Sequence, residues 1–529
     1  MSGDDAGPRS SSGQHPDDGH RAGSPPTGVV PGSIGDLSIR LGQDVRELLI
    51  DGRELSDIHA MIDERERRRA RRRDGDEVGD GPARSGAAEP DHDDLVALYS
   101  AETYRTGAPH GAIDRLRTCG PIVRVPEPAL DGWPAGSGYW AVLSHAETKE
   151  VLLDATRFSS HLGGTQLRDP ARPQDLAFVR EMMLNQDPPD HTRLRGLLAK
   201  AFTPRAVASL GDRIESRAHE LVAAVADRGR CDLVRDVVAD LPVAVLAEIL
   251  GVPEQDRGLL YDWSNRVIGY QDADYAGSDT FDPAGGTDLA RAALLERPRP
   301  RSDGTLPDPR SRDGLADLYA YANALADHKR ADPGDDIMSL LLQATYEGTT
   351  ISNAEFETLF FLFAVAGNET LRNGIPGGVL TLVQHPSQYR LLLRQPDLLG
   401  RAVEEMLRYW PPVIHFRRTA TVDTELAGTP IAAGDKVAVY HLAANRDPAV
   451  FDQPERFDIT RNPNDHVSFG FGPHFCLGAH LARLQMRAMV GEILGQLGRL
   501  ELDGEPVRLQ SNFQQGLKSL PVRWSTDGR

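Results

Sequence analysis

One cysteine, Cys476, lies in a glycine-rich turn directly before a predicted helix. The segment around it reads Phe469-Gly-Phe-Gly-Pro-His-Phe-Cys-Leu-Gly-Ala-His-Leu-Ala-Arg483. Its glycines permit tight turns and let the backbone approach a flat ligand closely. The positive end of the following helix and its free N–H groups lower the pKa of a nearby thiol and favour the thiolate, the form that binds metals. The pattern favours a reactive or metal-binding thiolate, and the alternative is a buried, inert cysteine.

An acid and a hydroxyl residue, Glu369 and Thr370, follow one another inside a long apolar helix that also contains three phenylalanines. Unpaired polar groups are costly in such surroundings. A threonine bonded back to its own helix beside a solvated glutamate is one explanation. The other is proton delivery, because a hydroxyl with an acid nearby suits chemistry in which a reacting oxygen must be protonated.

The cysteine segment resembles the haem-binding signature of the cytochrome P450 family, Phe-Gly-x-Gly-x-His-x-Cys-x-Gly, at every fixed position. The resemblance implies that Cys476 binds the iron of haem b as a thiolate, which promotes cleavage of the O–O bond. It also implies that Phe469 and Gly478 contact the haem and that His474 binds a haem propionate.

The segment Ala366-Gly-Asn-Glu-Thr370 is similar to the oxygen-activation site of the same family. The resemblance implies that Thr370 donates a hydrogen bond to dioxygen and that Glu369 helps to relay protons, so both are candidate catalytic residues. Gly367 would relax the helix, and together with Ala366 it would make room beside the haem.

Cationic side chains are expected at the two negatively charged haem propionates. His191 and Arg195 are four residues apart, so they share one face of a predicted helix; alone, they indicate only a charged helix start. The resemblance implies that this pair binds the propionates together with Arg418. Arg417 competes with Arg418 for that role, and the position of the following Asp423 favours Arg418.

Glu405 and Arg408 are three residues apart on a predicted helix, a spacing typical of weak surface ion pairs. In the family this pair is structural, and an arginine of a Pro-Glu-Arg-Phe segment, here Arg456, completes it. The resemblance therefore implies a three-member ion network that stabilises the loop before the haem and has no catalytic role.

Helical spacing of apolar residues dominates from about residue 95 to about residue 525, and strand signals are few. Helical segments are predicted at 206–227, 241–250, 315–331, 352–385, 397–409 and 477–497, with strand and turn signals at 416–440. The resemblance implies a mainly α (α+β) fold, the helical triangular prism of cytochrome P450 with a small β region. Residues 93–529 are predicted to form this haem domain, because the motifs occur in family order.

Two parts of the chain fall outside the resemblance. Residues 1–92 are predicted to be a disordered, partly helical extension, whose arginine-rich segment at 65–73 either recruits a partner or is a solvated tail. Residues 274–312 are rich in Gly, Pro, Asp and Arg and are predicted to form a surface insertion. We expect this insertion near the substrate channel, where a long loop could act as a lid.

Composition argues against several kinds of partner. A formal net charge of −19 disfavours nucleic acid or an anionic membrane. Three widely spaced cysteines form neither a disulfide framework nor a zinc spacing, which fits a reducing cytoplasm. No apolar run approaches the ~20 residues that cross a bilayer. The chain is therefore expected to be cytoplasmic, with no membrane span.

The resemblance implies a monooxygenase that inserts one atom of O2 into a C–H bond of an apolar substrate. Segments such as His415-Phe-Arg-Arg-Thr-Ala-Thr are similar to actinobacterial members that hydroxylate sterols, methyl-branched lipids and terpenes. The predicted substrate is therefore a terpenoid, a steroid or a fatty lipid, and the alternative within the family is tailoring of a polyketide or peptide. The alternative from another class is a haem-binding scaffold without catalysis.

The chain contains no flavin, nicotinamide or iron–sulfur motif. Electrons are therefore expected from a separate ferredoxin (or flavodoxin) and its reductase, docked on the cysteine side near Arg193, Lys200 and Arg483. The substrate pocket is expected to be lined by Val365, Ala366, Val413, Ile414 and the loop at 161–184.

Overall fold

The computed structural model describes residues 89–129, 135–170, 172–199, 202, 207–302, 304–346 and 349–525. Most of the predicted N-terminal extension, and Lys200, therefore lie outside the described residues. Within these ranges, no helix is both long enough and apolar enough to cross a bilayer.

Helices make up most of the described chain, as the apolar spacing predicts. In chain order they are α1 (His92–Tyr99), α2 (His110–Cys119), α3 (His145–Leu153), α4 (Pro173–Arg180), α5 (Asp190–Ala199), α6 (Gly211–Ala223), α7 (Asp240–Leu250), α8 (Arg257–Ile268), α9 (Ala273–Ala276), α10 (Asp288–Ala293), α11 (Ala316–Ala331), α12 (Ile337–Gln343), α13 (Asn353–Ala366), α14 (Glu369–Gln384), α15 (Pro386–Arg394), α16 (Leu399–Tyr409), α17 (His441–Ala444) and α18 (Ala479–Glu492). Short 3₁₀ and π-helical turns connect or extend several of them.

The strands are short and lie in small sheets. They are β1 (Ile122–Val125), β2 (Tyr139–Val142), β3 (Phe158–Ser159), β4 (Arg230–Asp232), β5 (Thr345–Tyr346), β6 (Thr349–Thr350), β7 (His415–Ala420), β8 (Thr424–Leu426), β9 (Thr429–Ile431), β10 (Lys436–Tyr440), β11 (Glu501–Leu502), β12 (Val507–Arg508), β13 (Leu517–Ser519) and β14 (Pro521–Arg523). The largest sheet has the order β1-β2-β10-β7-β3, in which β2 and β10 are parallel and the other neighbours antiparallel. The predicted mainly α fold with a small β region is confirmed.

Two apolar clusters fill the helical part of the molecule. One joins α6, α14, α16 and α18 around buried side chains such as Met406 and Met489. The other joins α8, α11 and α13 around Trp263. Phe363 of α13 and Leu477, the residue after Cys476, pack against both clusters. The core therefore brings α13 and the cysteine loop into the same region.

The predicted helix at 352–385 is two helices in the structure. A capping box starts α13: the Glu355 N–H donates to Ser352 Oγ at 3.1 Å, and the Ser352 N–H donates to the Glu355 carboxylate at 2.7 Å. The helix stops at Gly367 and resumes as α14. A Cβ atom on Gly367 would lie 3.0 Å from the Leu246 side chain, so glycine permits a close approach of α7 at the break.

The 274–312 insertion is packed onto the helical core. Within it, α10 buries Ala290 and Ala293. Its end is fixed to α13, because Arg312 donates to the Glu357 carboxylate at 2.6 and 2.9 Å. The expectation of a long loop is therefore wrong for α10, since buried alanines and ion pairs offset the entropy lost on ordering this segment. A lid function stays a prediction.

The ion network before the cysteine loop contains a different arginine from the predicted one. Arg408 donates to both Glu405 carboxylate oxygens at 2.8 Å, and both side chains are fully buried. The third cation is Arg461, whose Nε lies 3.2 Å from Glu405 Oε2. Arg456 turns its side chain to solvent, with 56% exposed, and contributes only its carbonyl oxygen, which accepts from Arg408 at 3.0 Å. The prediction for Arg456 is wrong, because here the backbone faces Arg408.

Replacing the two arginines separately tests this assignment. Arg461→Ala should lower the free energy of unfolding by about 1–3 kcal/mol, because Glu405 loses a buried charge-assisted partner. Arg456→Ala should change it by less than about 0.5 kcal/mol, as for other surface substitutions. Denaturant titration of both variants measures the difference, and equal losses would contradict the assignment.

Two buried histidines, His415 and His441, and the half-buried His110 should make stability depend on pH. Burial lowers the pKa of His110 and of His415 to about 3 and that of His441 to about 4, whereas an unfolded histidine titrates near 6.5. The unfolded chain therefore binds more protons below about pH 6.5. Stability is complete above that pH and falls as the pH decreases toward the folded-state values.

His415→Leu should remove part of this pH dependence. Between about pH 7.5 and about pH 5 the variant should lose about 2 kcal/mol less unfolding free energy than the wild type, because one buried neutral imidazole is gone. Urea titrations at the two pH values measure the change. The solvent-exposed His328 provides the control, and a His415→Leu slope equal to that of His328→Leu would refute the prediction.

Candidate functional site

A hydrogen-bonded turn holds Cys476 at the start of α18. The Cys476 N–H donates to the Phe469 carbonyl oxygen at 2.8 Å, and the Phe475 N–H donates to Gly472 O at 3.0 Å. Gly472 has φ +71°, and a Cβ atom there would lie 2.7 Å from the Leu152 carbonyl oxygen of α3. Glycine is therefore required at 472 by both its backbone conformation and its packing.

The thiol of Cys476 lies deep among protein atoms, although the residue as a whole is only half-buried. Burial raises its pKa above the usual value; the Gly478 N–H and the charges of Arg195 and Arg483 act in the opposite direction but do not outweigh burial. The sequence predicts a lowered pKa because it shows the helix start and not the extent of desolvation. A metal ion bonded to the sulfur supplies the missing positive charge and stabilises the thiolate.

The break between α13 and α14 leaves one residue of this helical segment exposed. Ala366, at the end of α13, is exposed although Val365 and Glu369 on either side are buried. Thr370 Oγ donates to the Ala366 carbonyl oxygen at 2.9 Å across the break. The hydroxyl is thus bonded back to its own helix, as one of the two sequence-based explanations expects, and it lies at the edge of an open space.

Glu369 is not solvated. Its side chain is fully buried and forms an ion pair with Arg372, and the Asn373 amide donates to its second oxygen at 3.2 Å. The carboxylate therefore has a fixed cationic partner on its own helix. If Glu369 relays protons as predicted, the ion pair with Arg372 must be part of the proton route. The sequence analysis did not identify Arg372, although the Glu-x-x-Arg spacing indicates such a pair.

The predicted propionate-binding residues come together beside the cysteine loop. The rings of His191 and His474 have centroids 4.0 Å apart, and Arg195 donates to the Phe475 carbonyl oxygen at 2.7 Å. Burial, with help from neighbouring cations, lowers the pKa of His191 to about 4 and that of His474 to about 2. The charges of Arg195 and Arg418 lower both pKa values further, and Asp187 acts in the opposite direction on His191.

Arg417 and Arg418 have different environments on β7. Arg417 is paired with Asp169 at 2.7 and 3.0 Å. Arg418 is buried and donates to the Arg417 carbonyl oxygen at 3.0 Å, but no ion pair to it occurs within the described ranges. Burial lowers the Arg418 pKa to about 10. The geometry thus favours Arg418, over Arg417, as the cation that binds an anionic ligand.

These observations fit a haem. An unpaired buried cation such as Arg418 is costly unless an anion neutralises it, and His191 Nδ1 is a buried polar atom without a partner in the described chain. A Cβ atom on Gly478 would meet no other atom within 4 Å, so space lies next to the cysteine. A planar group that carries two carboxylates and binds a thiolate through its metal matches all three features.

The structure differs from the sequence-based expectations for one substrate-pocket residue and for two docking cations. Ile414 is fully buried with Tyr139 and Tyr440 beneath the sheet, so its assignment to the substrate pocket is wrong; Val413 packs on the α13 side. Two of the predicted docking cations are already neutralised by carboxylates, Arg193 by Glu355 and Arg483 by Glu404.

The two arginines of β7 can be separated by experiment. Arg418→Leu should speed the loss of haem to a scavenger protein by at least about tenfold, because a charge-assisted bond of about 1.5–3 kcal/mol is lost. Arg417→Leu should mainly lower the free energy of unfolding, since it leaves Asp169 unpaired. Faster haem loss from Arg417→Leu than from Arg418→Leu would reverse the assignment.

Comparison with known proteins agrees with the geometry. A cytochrome P450 family model matches residues 320–522. The chain is 34% identical over 445 residues to the steroid C26-monooxygenase of Rhodococcus jostii (strain RHA1), covering 84% of this chain and 87% of the relative. It is 37% identical over 421 residues to the methyl-branched lipid omega-hydroxylase of Mycobacterium tuberculosis (strain ATCC 25618 / H37Rv), covering 78% of this chain and 91% of the relative.

The fold agrees as well. The structure of a Mycobacterium marinum cytochrome P450 in complex with pseudoionone matches with a TM-score of 0.68 and 34% identity, over 81% of this chain and 97% of that one. The matched regions span most of the length of each relative. The similarity therefore includes both the helical fold and the cysteine loop. The chain therefore belongs to the cytochrome P450 family and is a monooxygenase whose cofactor is haem.

Proposed function

We propose that this P450 hydroxylates a C–H bond of an apolar terpenoid, steroid or fatty lipid. The observation that carries the proposal is the similarity to relatives named for a steroid and for a methyl-branched lipid. The apolar character of α13 around Phe361 and Val365, next to the exposed Ala366, supports it. Such a wall recognises hydrocarbon by burying its surface rather than by polar contacts.

The residues around the cysteine loop would bind the haem. Cys476 would hold the iron. The propionates would be bound by Arg418, Arg195, His191 and His474. When bound, haem supplies the centre that accepts electrons and activates O2. The balanced reaction converts substrate-H, O2, two electrons and two protons into substrate-OH and water.

Two residues at the break between α13 and α14, Thr370 and Glu369, would deliver protons. Thr370 Oγ–H, now donating to Ala366 O, would turn to an oxygen atom in the adjacent space and hold a proton there. Glu369, one residue earlier, would replace that proton. Both residues remain candidates for this role, and the Arg372 ion pair would fix where the Glu369 carboxylate starts.

Electrons would come from a separate ferredoxin (or flavodoxin) with its reductase in the cytoplasm. Docking on the cysteine side is supported by the exposure of Phe475, next to the sulfur ligand, and of Arg487 on α18. Arg487 replaces Arg193 and Arg483 as the proposed docking cation, because those two are occupied by carboxylates.

Substrate class is tested by a ligand screen on the purified ferric enzyme. Sterols, methyl-branched fatty acids and terpenes should shift the iron spin state, because an apolar ligand displaces water from the pocket. Polyketides and peptides serve as the comparison set. Spectral shifts and turnover with that set alone would contradict the proposal.

The proton role is tested by Thr370→Ala. The variant should consume electrons but form at least about tenfold less product per electron, with hydrogen peroxide released instead, because general acid catalysis contributes about 10²–10⁴-fold. Thr381→Ala is the matched control: it is a threonine of α14 whose hydroxyl makes the same type of bond, to Gly377 O at 2.8 Å. Equal product yields from the two variants would rule out the role of Thr370.

A further inference from the structure

A directed chain of hydrogen bonds links Glu369 to the insertion. From Glu369 it passes to Arg372, whose Nη2 also donates to Asn265 Oδ1 of α8 at 2.5 Å. Asn265 Nδ2 then donates to Ser278 Oγ at 3.0 Å, and Ser278 Oγ donates to the Asp262 carboxylate at 2.7 Å. All five side chains are buried, so water does not compete for these bonds.

The last acceptor in this series of hydrogen bonds, Asp262, fixes the direction in which each bond is donated. An ionised Asp262 only accepts hydrogen bonds, and it also receives the N–H groups of Thr280 and Phe281 at 2.9 Å. Ser278 must therefore donate to Asp262 and accept from Asn265. This turns the amide of Asn265 so that its oxygen faces Arg372, the orientation that a guanidinium requires.

Aromatic residues enclose the same guanidinium. Tyr261 of α8 and Tyr275 of α9 lie with their ring centroids 4.6 and 5.1 Å from Arg372 Cζ, in cation–π geometry. Behind Tyr275, Lys518 is paired with Asp272 at 2.9 Å. The start of the insertion thus forms one wall around the cation that holds Glu369.

We propose that the start of the insertion, through Ser278 and then Asn265, positions the acid of the oxygen-activation segment by orienting Arg372. Ser278 and Asn265 are positioning residues and touch neither substrate nor haem. The inference rests on the proposed proton role of Glu369 for its effect on catalysis, but the orientation of the ion pair can be measured without turnover.

Without the Ser278 hydroxyl, the Asn265 amide loses the acceptor that fixes its orientation. A flipped amide would present N–H groups to Arg372, which has only donors, so the guanidinium would shift away from that position. Glu369 would then be held less firmly as a carboxylate. Tyr261 and Tyr275 would remain as the titratable groups at the guanidinium, with the Asp272–Lys518 ion pair next to Tyr275.

The experiment compares Ser278→Ala with Ser264→Ala in the ferric holoenzyme. Ser264 is a suitable control, because it is a fully buried serine of α8 beside Asn265 whose hydroxyl has no hydrogen-bond partner in the described structure. Infrared pH titration, with Glu369→Gln used to identify the Glu369 carboxyl band, reports when this group is protonated. In Ser278→Ala the band should appear at higher pH than in the wild type, and Ser264→Ala should match the wild type.

Two further variants complete the test. Ser278→Thr keeps the hydroxyl and should restore the wild-type titration, and Asn265→Leu should reproduce the shift if Ser278→Ala does not accumulate as holoenzyme. A Glu369 band at the wild-type pH in both Ser278→Ala and Asn265→Leu would overturn the inference. Unchanged product yield in Glu369→Gln would instead overturn the proton role, while the infrared result would still decide the positioning.

Discussion

The hydrogen bond from the Cys476 N–H to the Phe469 carbonyl oxygen closes the turn that fixes the sulfur at the start of α18. The turn depends on glycine at 470 and 472, both with positive φ, and it rests on α3 through the close contact of Gly472 with Leu152. Because α18 packs into the same core as α14, the sulfur and the break at Gly367 have fixed positions in one framework. A thiolate at this position is unfavourable in the protein alone, and a bound metal reverses that balance.

A second electrostatic imbalance points to the same ligand. His191 and Arg418 are buried and His474 is half-buried beside them, and burial lowers the pKa of each. At these pKa values both imidazoles are neutral near pH 7, so Arg418 is the buried cation of this group, and without an anion its charge opposes folding. Two carboxylates at this place would raise these pKa values again and make the cluster stabilising. The site thus combines a sulfur whose anionic form a metal cation would stabilise with a buried arginine whose charge an anion would stabilise.

The sequence shows which residues could take part in the chemistry more clearly than it shows their contact partners. The glycine spacing around Cys476 and the acid–hydroxyl pair at 369 and 370 are local features, and local spacing is what a sequence displays. Arg456 and Arg461 show the limit. They are close together in sequence and far from Glu405, and only the path of the backbone decides which of the two side chains reaches Glu405. Ile414 lies just before β7, and only the three-dimensional packing shows that it is buried in the cluster of Tyr139 and Tyr440. The link from Ser278 to Arg372 joins segments about a hundred residues apart and leaves no local pattern.

The central claim is that the Cys476 sulfur binds haem iron as a thiolate, and the carbon monoxide complex of the reduced protein tests it most directly. Wild-type protein produced with sufficient haem should give the Soret band characteristic of a thiolate ligand after reduction under carbon monoxide. Cys476→Ala should lose this band and turnover. A wild-type spectrum without a thiolate band, or a Cys476→Ala protein that retains both the band and full turnover, would contradict the account.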